Sequence, residues 1–267
     1  MAALLSYGFL QRALWAGLFI GLACAVLGVF LLLRKDAMIG HGLSHITFAG
    51  VALGLLLKTM PLAVALVFSV IAALGIAKLK EQAGLYGDTA IAILSSVGMA
   101  LGIVLATLSG NFNVALFNFL FGEILAIEPL EVWLSIGLAA LVLVLVIGHY
   151  HKFMYMTFDL ESARVSGVRV RRLDALITVL TAVTIVLGMK VVGILLVSAL
   201  VVIPAAAGLQ VAGSFKKAVL FSCLVSAASV VGGLCLAFFF DLPASGTIVL
   251  FGFVLFGLFS VFGKGQR

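Results

Sequence analysis

The chain has 267 residues, of which 64% are hydrophobic and only 10% charged, with a formal net charge of +6 and a mean hydropathy of +1.36. Soluble globular domains are about half apolar and about a quarter charged, so this composition excludes that class. The basic residues are spread in ones and twos between apolar runs, which argues against a nucleic-acid partner. The sequence therefore predicts a protein embedded in membrane lipid.

Long apolar runs broken by charged residues, glycine or proline predict nine membrane-spanning helices. They lie at 13–33, 42–57, 61–79, 89–109, 130–148, 173–189, 191–211, 218–240 and 244–263. The second run is short, and only the region around Lys190 separates the sixth from the seventh, so eight to ten helices are compatible with the pattern. Because lipid offers no partner to unpaired backbone groups, the expected fold class is an all-α polytopic membrane protein, with one transmembrane domain over 1–267.

The placement of lysine and arginine predicts the orientation of the chain. If the N-terminus lies outside, only Arg12, Lys58 and Lys190 are external. The other basic residues then lie inside: Arg34, Lys35, Lys78, Lys80, Lys152, Arg164, Arg169, Arg171, Arg172, Lys216, Lys217, Lys264 and Arg267. By the positive-inside rule, we expect an external N-terminus and a cytoplasmic C-terminus. The first apolar run lacks the features of a cleaved signal peptide, so we expect it to be retained.

The first candidate site in chain order is the pair His41 and His45, within RKDAMIGHGLSHITFAG at 34–50. Residues four apart share a helix face, so the two imidazoles can hold one divalent ion together. The spacing matches half of the HExxH zinc-protease motif, but Gly42 stands where the motif needs glutamate as general base, which excludes an intramembrane protease. A structural role for the histidines at a span end is the alternative interpretation.

Two ligands make a transient site, so a third is expected from elsewhere in the chain. The candidate is Glu123, in the segment FNFLFGEILAI, since a carboxylate with two imidazoles suits zinc or manganese. Glu128 and Glu131 are expected to be solvated residues at a span end. Asp241 is expected to cap a helix rather than bind metal. The loop at 110–128 is predicted to lie outside, where it either stands in water or re-enters the membrane surface.

The longest polar segment, 149–172, follows the fifth span on the side predicted to be cytoplasmic. Asp159 precedes a run that contains Glu161, and Gly167 follows it. This order predicts an N-cap, a short helix with an acidic first turn, and a glycine stop. An ordinary amphipathic loop helix is the alternative interpretation.

Several other chemistries are excluded by missing motifs. The sequence contains no GxxxxGK[ST] phosphate-binding loop and no GxSxG nucleophile. Any ATP hydrolysis is therefore expected from another chain, and this chain is not expected to be an enzyme. Cys24, Cys223 and Cys235 lack CxxC spacing, which argues against a disulfide framework or a thiolate metal cluster.

Five segments, in order along the chain, resemble the membrane subunit of bacterial zinc/manganese/iron ATP-binding-cassette (ABC) importers. They are RKDAMIGHGLSHITFAG at 34–50, FNFLFGEILAI at 117–127, DLESARVSG at 159–167, VGILLVSALVVIPAAA at 192–207 and DLPASGTIVL at 241–250. The first and fourth are the most specific, and together the segments extend across almost the whole chain. The same order of segments is more distantly similar to that of vitamin B12 and iron-siderophore permeases, which form a compact helical bundle that pairs as a homodimer.

The resemblance implies that His41 and His45 belong to an intramembrane metal site. Many relatives carry aspartate at the position of His41, so histidine here shifts the ligand set toward nitrogen and favours zinc over manganese or ferrous iron. The ion is cargo, and no permanently bound cofactor is expected.

The resemblance also implies that 159–167, within a cytoplasmic region of about 153–172, is a coupling helix that docks into a separate ATPase subunit, where ATP binds. The residues carried over to this role are Asp159, Glu161, Ser162, Ala163 and Gly167. An extracytoplasmic metal-binding protein and a second copy of the chain are further expected partners. The implied location is the bacterial plasma (inner) membrane.

The function expected is therefore the permease subunit of an ABC importer for zinc, with manganese or iron as other cargoes. An iron-siderophore or cobalamin-type permease, an ATPase-independent secondary metal transporter and a non-transport scaffold remain alternatives. A secondary transporter predicts buried acidic groups within spans, and the sequence offers little beyond Asp88 and Asp174 at span ends. A scaffold predicts no intramembrane polar pair, against His41 and His45.

Overall fold

A computed structural model describes residues 7–82, 87–109, 119, 122 and 127–263, with side chains described except at 80–82, 87–88 and 262–263. Within these ranges the regular structure is α-helical, with no strand. The helices are α1 (Gly8–Leu33), α2 (Met38–Leu56), α3 (Pro61–Gln82), α4 (Gly87–Leu108), α5 (Pro129–Gly148), α6 (Tyr150–Phe158), α7 (Leu160–Val165), α8 (Val170–Val192), α9 (Ile194–Val211), α10 (Phe215–Phe240) and α11 (Ala244–Gly263).

Nine helices in the described part of the chain are long and apolar enough to cross a membrane. They are all except the short helices α6 and α7, and each corresponds to one predicted span, so the predicted all-helical membrane fold is confirmed. The main difference is at helix starts. α2 begins at Met38 rather than at 42, and α8 at Val170 rather than at 173. Helical hydrogen bonding continues into the residues that flank an apolar run, among them His41, Arg171 and Arg172, and a search for uninterrupted apolar runs leaves these residues out.

The chain folds into two compact units. Unit 1 comprises Met1–Leu32, Asn118–Val142 and Leu187–Arg267, and unit 2 comprises Leu33–Phe117 and Leu143–Val186. Helices α9, α10 and α11 therefore belong to unit 1, and α2, α3 and α4 to unit 2. Helix α8 begins in unit 2 and ends in unit 1.

Unit 1 is held together by close helix packing at small residues. A Cβ added to Gly28 of α1 would lie 1.9 Å from the carbonyl oxygen of Val201 in α9. A Cβ added to Gly21, also in α1, would lie 2.6 Å from Ser226 Oγ of α10. Within lipid, helices associate largely through such close backbone approach, because the apolar surface gains little from leaving one apolar medium for another.

Unit 2 uses the same principle around α2, which packs on α3 and α4. A Cβ on Gly50 of α2 would lie 2.7 Å from Cα of Ala65 in α3. The Thr47 hydroxyl donates to the Leu43 carbonyl at 2.7 Å and lies 2.6 Å from Ser69 Oγ of α3. Both hydroxyls are buried, so their pairing avoids leaving unsatisfied polar groups and fixes α2 against α3.

Candidate metal site and coupling segment

The histidine pair lies in the first two turns of α2. Helical spacing places both rings on one face, with the Nε2 atoms of His41 and His45 3.0 Å apart and the rings edge to face. Two imidazoles on one tetrahedral zinc ion, with Zn–N bonds of about 2.0–2.1 Å, stand about 3.3–3.4 Å apart. The pair is therefore close to the spacing that a shared ion requires.

The neighbouring residues explain why this face is left open. His41 is exposed and His45 half-buried, whereas Gly42, Leu43 and Ser44 are buried. A Cβ on Gly42 would lie 2.5 Å from a side-chain methyl carbon of Ile91 in α4. α2 thus packs on α4 through the face that carries Gly42 and leaves the imidazoles free of that contact. A glutamate at 42 would have no room, which agrees with excluding the protease motif.

No third ligand joins the pair among the described residues. Glu123 and most of the loop at 110–128 lie outside the described residues, and their roles stay predictions. In the part of the chain that the structure describes, no group of three or more His, Cys, Asp or Glu side chains could hold a metal ion. Within the described ranges, the structure therefore brings together two of the three predicted ligands, His41 and His45.

The expectation that Glu131 is solvated is wrong. Glu131 is 8% exposed and forms an ion pair with Lys190 in the last turn of α8. Its other carboxylate oxygen accepts the backbone N–H of Glu128 at 3.1 Å, which caps the start of α5. The carboxylate can be buried because the Lys190 ammonium balances its charge and the Glu128 N–H, which has no partner within the helix, donates to it. Glu128 itself is exposed, as expected.

Asp241 does cap a helix, at the end of α10 rather than the start of α11. It has φ of 53°, in the left-handed region, and its backbone N–H donates to the carbonyl of Ala237. A left-handed residue just past the last turn is a common way to satisfy a helix C-terminus. Nothing in its geometry points to metal binding.

The predicted short helix is present as α7 (Leu160–Val165), with the N-cap Asp159 before it and the glycine stop Gly167 after it. Asp159 Oδ1 accepts the Ser162 N–H at 2.9 Å. Hydrogen bonds from the Ser162 side chain and backbone hold the pKa of the Asp159 carboxyl below its ordinary value. At the other end, Gly167 has φ of +79°, and the Val168 N–H reaches back to the Ala163 carbonyl at 3.0 Å. This pattern is a Schellman motif, in which the left-handed position favours glycine.

One face of α7 packs on α6 and the other remains free. Ala163 is fully buried, and the Tyr155 hydroxyl of α6 lies 3.0 Å from Ser166 Oγ. Glu161 is exposed, and Val165 is 90% exposed. A short helix with fixed ends thus presents a charged and apolar surface that this chain's own packing leaves uncovered.

Sequence reasoning missed an ion cluster at the starts of α2 and α8. Arg34, in the turn between α1 and α2, contacts Asp36 and Asp174, and all three side chains lie in unit 2. A signal was available, since Asp174 is the one acidic residue of α8, and a carboxylate in a membrane-spanning helix is costly unless it is paired.

Comparison with known proteins identifies the family. A family model described as the ABC 3 transport family matches residues 6–263. The manganese transport system membrane protein MntC of Halalkalibacterium halodurans is 31% identical over 98% of this chain and 90% of its own length. The high-affinity zinc uptake system membrane protein ZnuB of Haemophilus influenzae is 34% identical over 94% of this chain and 97% of its own length.

Solved structures agree with this assignment. PsaBC from Streptococcus pneumoniae, solved in complex with Fab, superposes with a TM-score of 0.86 at 30% identity, covering 100% of this chain and 98% of that one. The resemblance seen in the sequence is thereby confirmed, and the chain belongs to the ABC 3 transport family as a membrane permease subunit.

Proposed function

We propose that this chain is the permease of an ABC importer that moves zinc across the plasma (inner) membrane, powered by ATP on a separate ATPase subunit. The observation that carries the proposal is the His41–His45 pair, with Nε2 atoms 3.0 Å apart on an open face of α2. Polar ionisable groups in a membrane-spanning helix are costly and usually serve function. Relatives named as manganese and zinc transport proteins make a divalent metal the matching cargo.

The pair needs further ligands, and a second copy of the chain is one source. A two-fold dimer whose interface includes this face of α2 would bring one histidine pair against its copy, so that four imidazoles could surround one ion. Glu123 remains the candidate ligand from within this chain. A site assembled from separate parts holds an ion well enough to load it and loosely enough to release it.

Zinc is proposed over manganese because of the ligand chemistry. Imidazole nitrogen suits zinc, whereas manganese prefers carboxylate, carbonyl and water oxygens. Manganese is the second candidate, since the relatives include manganese transport proteins. The alternative of a secondary transporter predicts a buried acidic group that is free to carry a proton. Asp174 does not fit this role, because it forms an ion pair with Arg34.

Movement of the ATPase subunit would be transmitted to the metal site through α7, the proposed coupling helix. Its rigid ends and uncovered face suit docking into a groove on the ATPase subunit, with Asp159, Glu161, Ser162, Ala163 and Gly167 forming or shaping that surface. Closure of two ATPase subunits on ATP would push on α7 and open the permease outward. A metal-binding protein would deliver the ion there, and hydrolysis would release it to the cytoplasm, where the C-terminus is also proposed to lie.

The proposal is tested by uptake of Zn²⁺ into liposomes that contain this chain and its ATPase subunit, with the metal-binding protein added outside. We expect ATP-dependent uptake by the wild type, and a fall to the zinc-free background in the variant His41→Ala/His45→Ala. His151→Ala is the matched control, because it removes an exposed histidine from α6, outside the spans. Uptake that survives loss of both α2 histidines in folded protein would contradict the site.

The choice of zinc is tested by His41→Asp, which replaces one nitrogen ligand by an oxygen ligand. We expect the ratio of zinc to manganese uptake to fall by about tenfold relative to the wild type. The measurement is competition between the two ions at equal concentration. Wild-type protein that prefers manganese under these conditions would overturn the zinc assignment while leaving the metal permease in place.

A further inference from the structure

The Arg34 cluster joins the turn before α2 to the start of α8. Arg34 Nη2 lies 3.7 Å from Asp36 Oδ2 and also bonds Asp174 Oδ1. The side chains of Arg34, Asp36 and Asp174 are 11%, 4% and 16% exposed. One guanidinium therefore faces two carboxylates where water has little access, and charge-assisted bonds of this kind are strong and directional.

Of the two contacts that Arg34 makes with these carboxylates, the bond to Asp174 links separate parts of the chain. Asp36 lies two residues from Arg34, so their contact stays within a single turn. Asp174 is 140 residues further along the chain, in the second turn of α8. Removing Asp174 would therefore cut the connection between helices, whereas removing Asp36 would leave it in place.

Each end of this link is a few residues from a proposed functional element. On one side, the Schellman turn at Gly167 leads directly into α8, which starts at Val170. On the other side, α2 starts at Met38, and His41 lies in its first turn. All of these residues belong to unit 2. A displacement of α7 therefore has a short path through α8 and Arg34 to the histidine pair.

We infer that Arg34 and Asp174 are positioning residues that transmit movement of the coupling helix α7 to α2 and so to the metal pair. The inference rests on the proposed function, in which α7 receives the motion of an ATPase subunit. Apolar helix surfaces can slide past each other, because their contacts are individually weak and non-directional. A charge-assisted bond resists such sliding, so α2 follows the start of α8.

The test compares two substitutions of equal charge and shape, Asp174→Asn and Asp36→Asn, in the full complex of permease, ATPase subunit and metal-binding protein. Asp174→Asn leaves Arg34 balanced by Asp36, so no unpaired cation is created. Asp36→Asn leaves Arg34 balanced by Asp174 and preserves the link. The readouts are the basal ATPase rate, its stimulation by the zinc-loaded binding protein, and the thermal midpoint of each variant.

We expect Asp174→Asn to lower the stimulation by about fivefold or more, with a basal rate within about twofold of the wild type. Asp36→Asn should keep most of the stimulation. A merely structural role predicts that basal rate, stimulation and thermal midpoint fall together in Asp174→Asn, and that result would overturn the inference. Equal loss of stimulation in the two folded variants would also overturn it.

A second readout does not depend on which cargo is carried. Amide hydrogen exchange is measured over 38–46 and over 159–168, with and without ATP bound by the ATPase subunit. We expect ATP to change exchange in both segments of the wild type, and only in 159–168 of Asp174→Asn. A change over 38–46 that persists in Asp174→Asn, or is missing from the wild type, would contradict the link. Absence of zinc stimulation alongside an intact exchange response would count against the proposed cargo instead.

Discussion

A buried ion pair in unit 1 and an open histidine pair in unit 2 use polar side chains differently. In unit 1, Glu131 is buried with both carboxylate oxygens engaged, one by Lys190 and one by the start of its own helix. In unit 2, the imidazoles of His41 and His45 engage each other on an open face of α2. Glu161 of the same unit is exposed on α7. The Glu131 carboxylate finds its partners within the chain. The imidazoles of His41 and His45 remain open to a ligand from outside it.

We interpret this difference as a distinction between side chains that stabilise the fold and side chains that are available to a ligand. A buried charge pair that closes on itself favours one packing of the helices, and losing one member leaves an uncompensated charge. An open polar pair in an apolar helix gains nothing for folding that would explain its cost. We therefore expect changes at the close contacts of unit 1 to reduce folded protein, and changes at the open sites of unit 2 to reduce transport in protein that still folds.

The largest effect is expected from Gly28→Ala in unit 1. The new Cβ would lie 1.9 Å from the Val201 carbonyl oxygen, so α1 and α9 would have to separate. Overpacking typically costs 1–3 kcal/mol, and a clash with backbone should reach the upper end, about 3 kcal/mol. The measurement is the thermal midpoint in detergent. Gly137→Ala in α5 is the control, because no atom lies within 4 Å of its added Cβ. Equal midpoints for the two variants would show that this contact does not stabilise unit 1.

A smaller loss is expected from Lys190→Gln, which leaves the buried Glu131 carboxylate without its cation. Breaking a fully buried pair costs about 3–5 kcal/mol, but the Lys190 side chain is 43% exposed, so about 2 kcal/mol is expected. The double variant Lys190→Gln/Glu131→Gln should recover part of the loss, since no unpaired charge remains. A double variant no more stable than Lys190→Gln would mean that the ion pair is not the cause. Stimulated ATPase activity per folded molecule should stay unchanged.

The membrane helices could be predicted because a helix that crosses lipid must have a minimum length and an apolar composition, and both can be read directly from the sequence. The last run, 244–263, coincides with α11. The His41–His45 contact was also predictable, since both histidines lie on one helix and their spacing alone places them on one face. The start of α2 was not, because Met38 to His41 lie beyond the continuous apolar run that marks the span.

Contacts between residues distant in sequence are what single-sequence reasoning missed. Glu131 looks like a solvated residue at a span end until Lys190 is placed beside it. Arg34 looks like one more cytoplasmic charge until Asp174 meets it from α8. In both cases the favourable energy comes from a partner on another helix, and no periodic pattern in the local sequence carries that information.

Within unit 2, Gly167→Ala should affect coupling more than overall stability. Gly167 has φ of +79° with no atom within 4 Å of an added Cβ, so the cost is conformational, about 1–2 kcal/mol for an L-residue in that region. This cost should loosen the end of α7 and lower the zinc-stimulated ATPase rate, with the thermal midpoint nearly unchanged. Gly167→Asn is the comparison, because asparagine tolerates the left-handed conformation better, and it should retain more activity. If both variants couple like the wild type, the Schellman turn is not needed for transmission.

The smallest effect is expected from the pH dependence of the Asp159 cap. Hydrogen bonds from the Ser162 side chain and backbone lower the pKa of this carboxyl from its ordinary value of 3.8. A lowered pKa means that the charged cap favours folded α7 above pH about 4, and that this contribution is lost as pH falls through the lowered value. Amide exchange at Ser162, corrected for its intrinsic pH dependence, should show protection that declines only in that acidic range.

Asp159→Asn sharpens this last measurement, because asparagine also caps helices well but does not titrate there. Its Ser162 protection should be flat across the range in which the wild type declines. Since the carboxylate is exposed and α7 is short, loss of the charge should loosen α7 without altering the close contacts of unit 1. A decline in Asp159→Asn equal to that of the wild type would assign the acid sensitivity to another group.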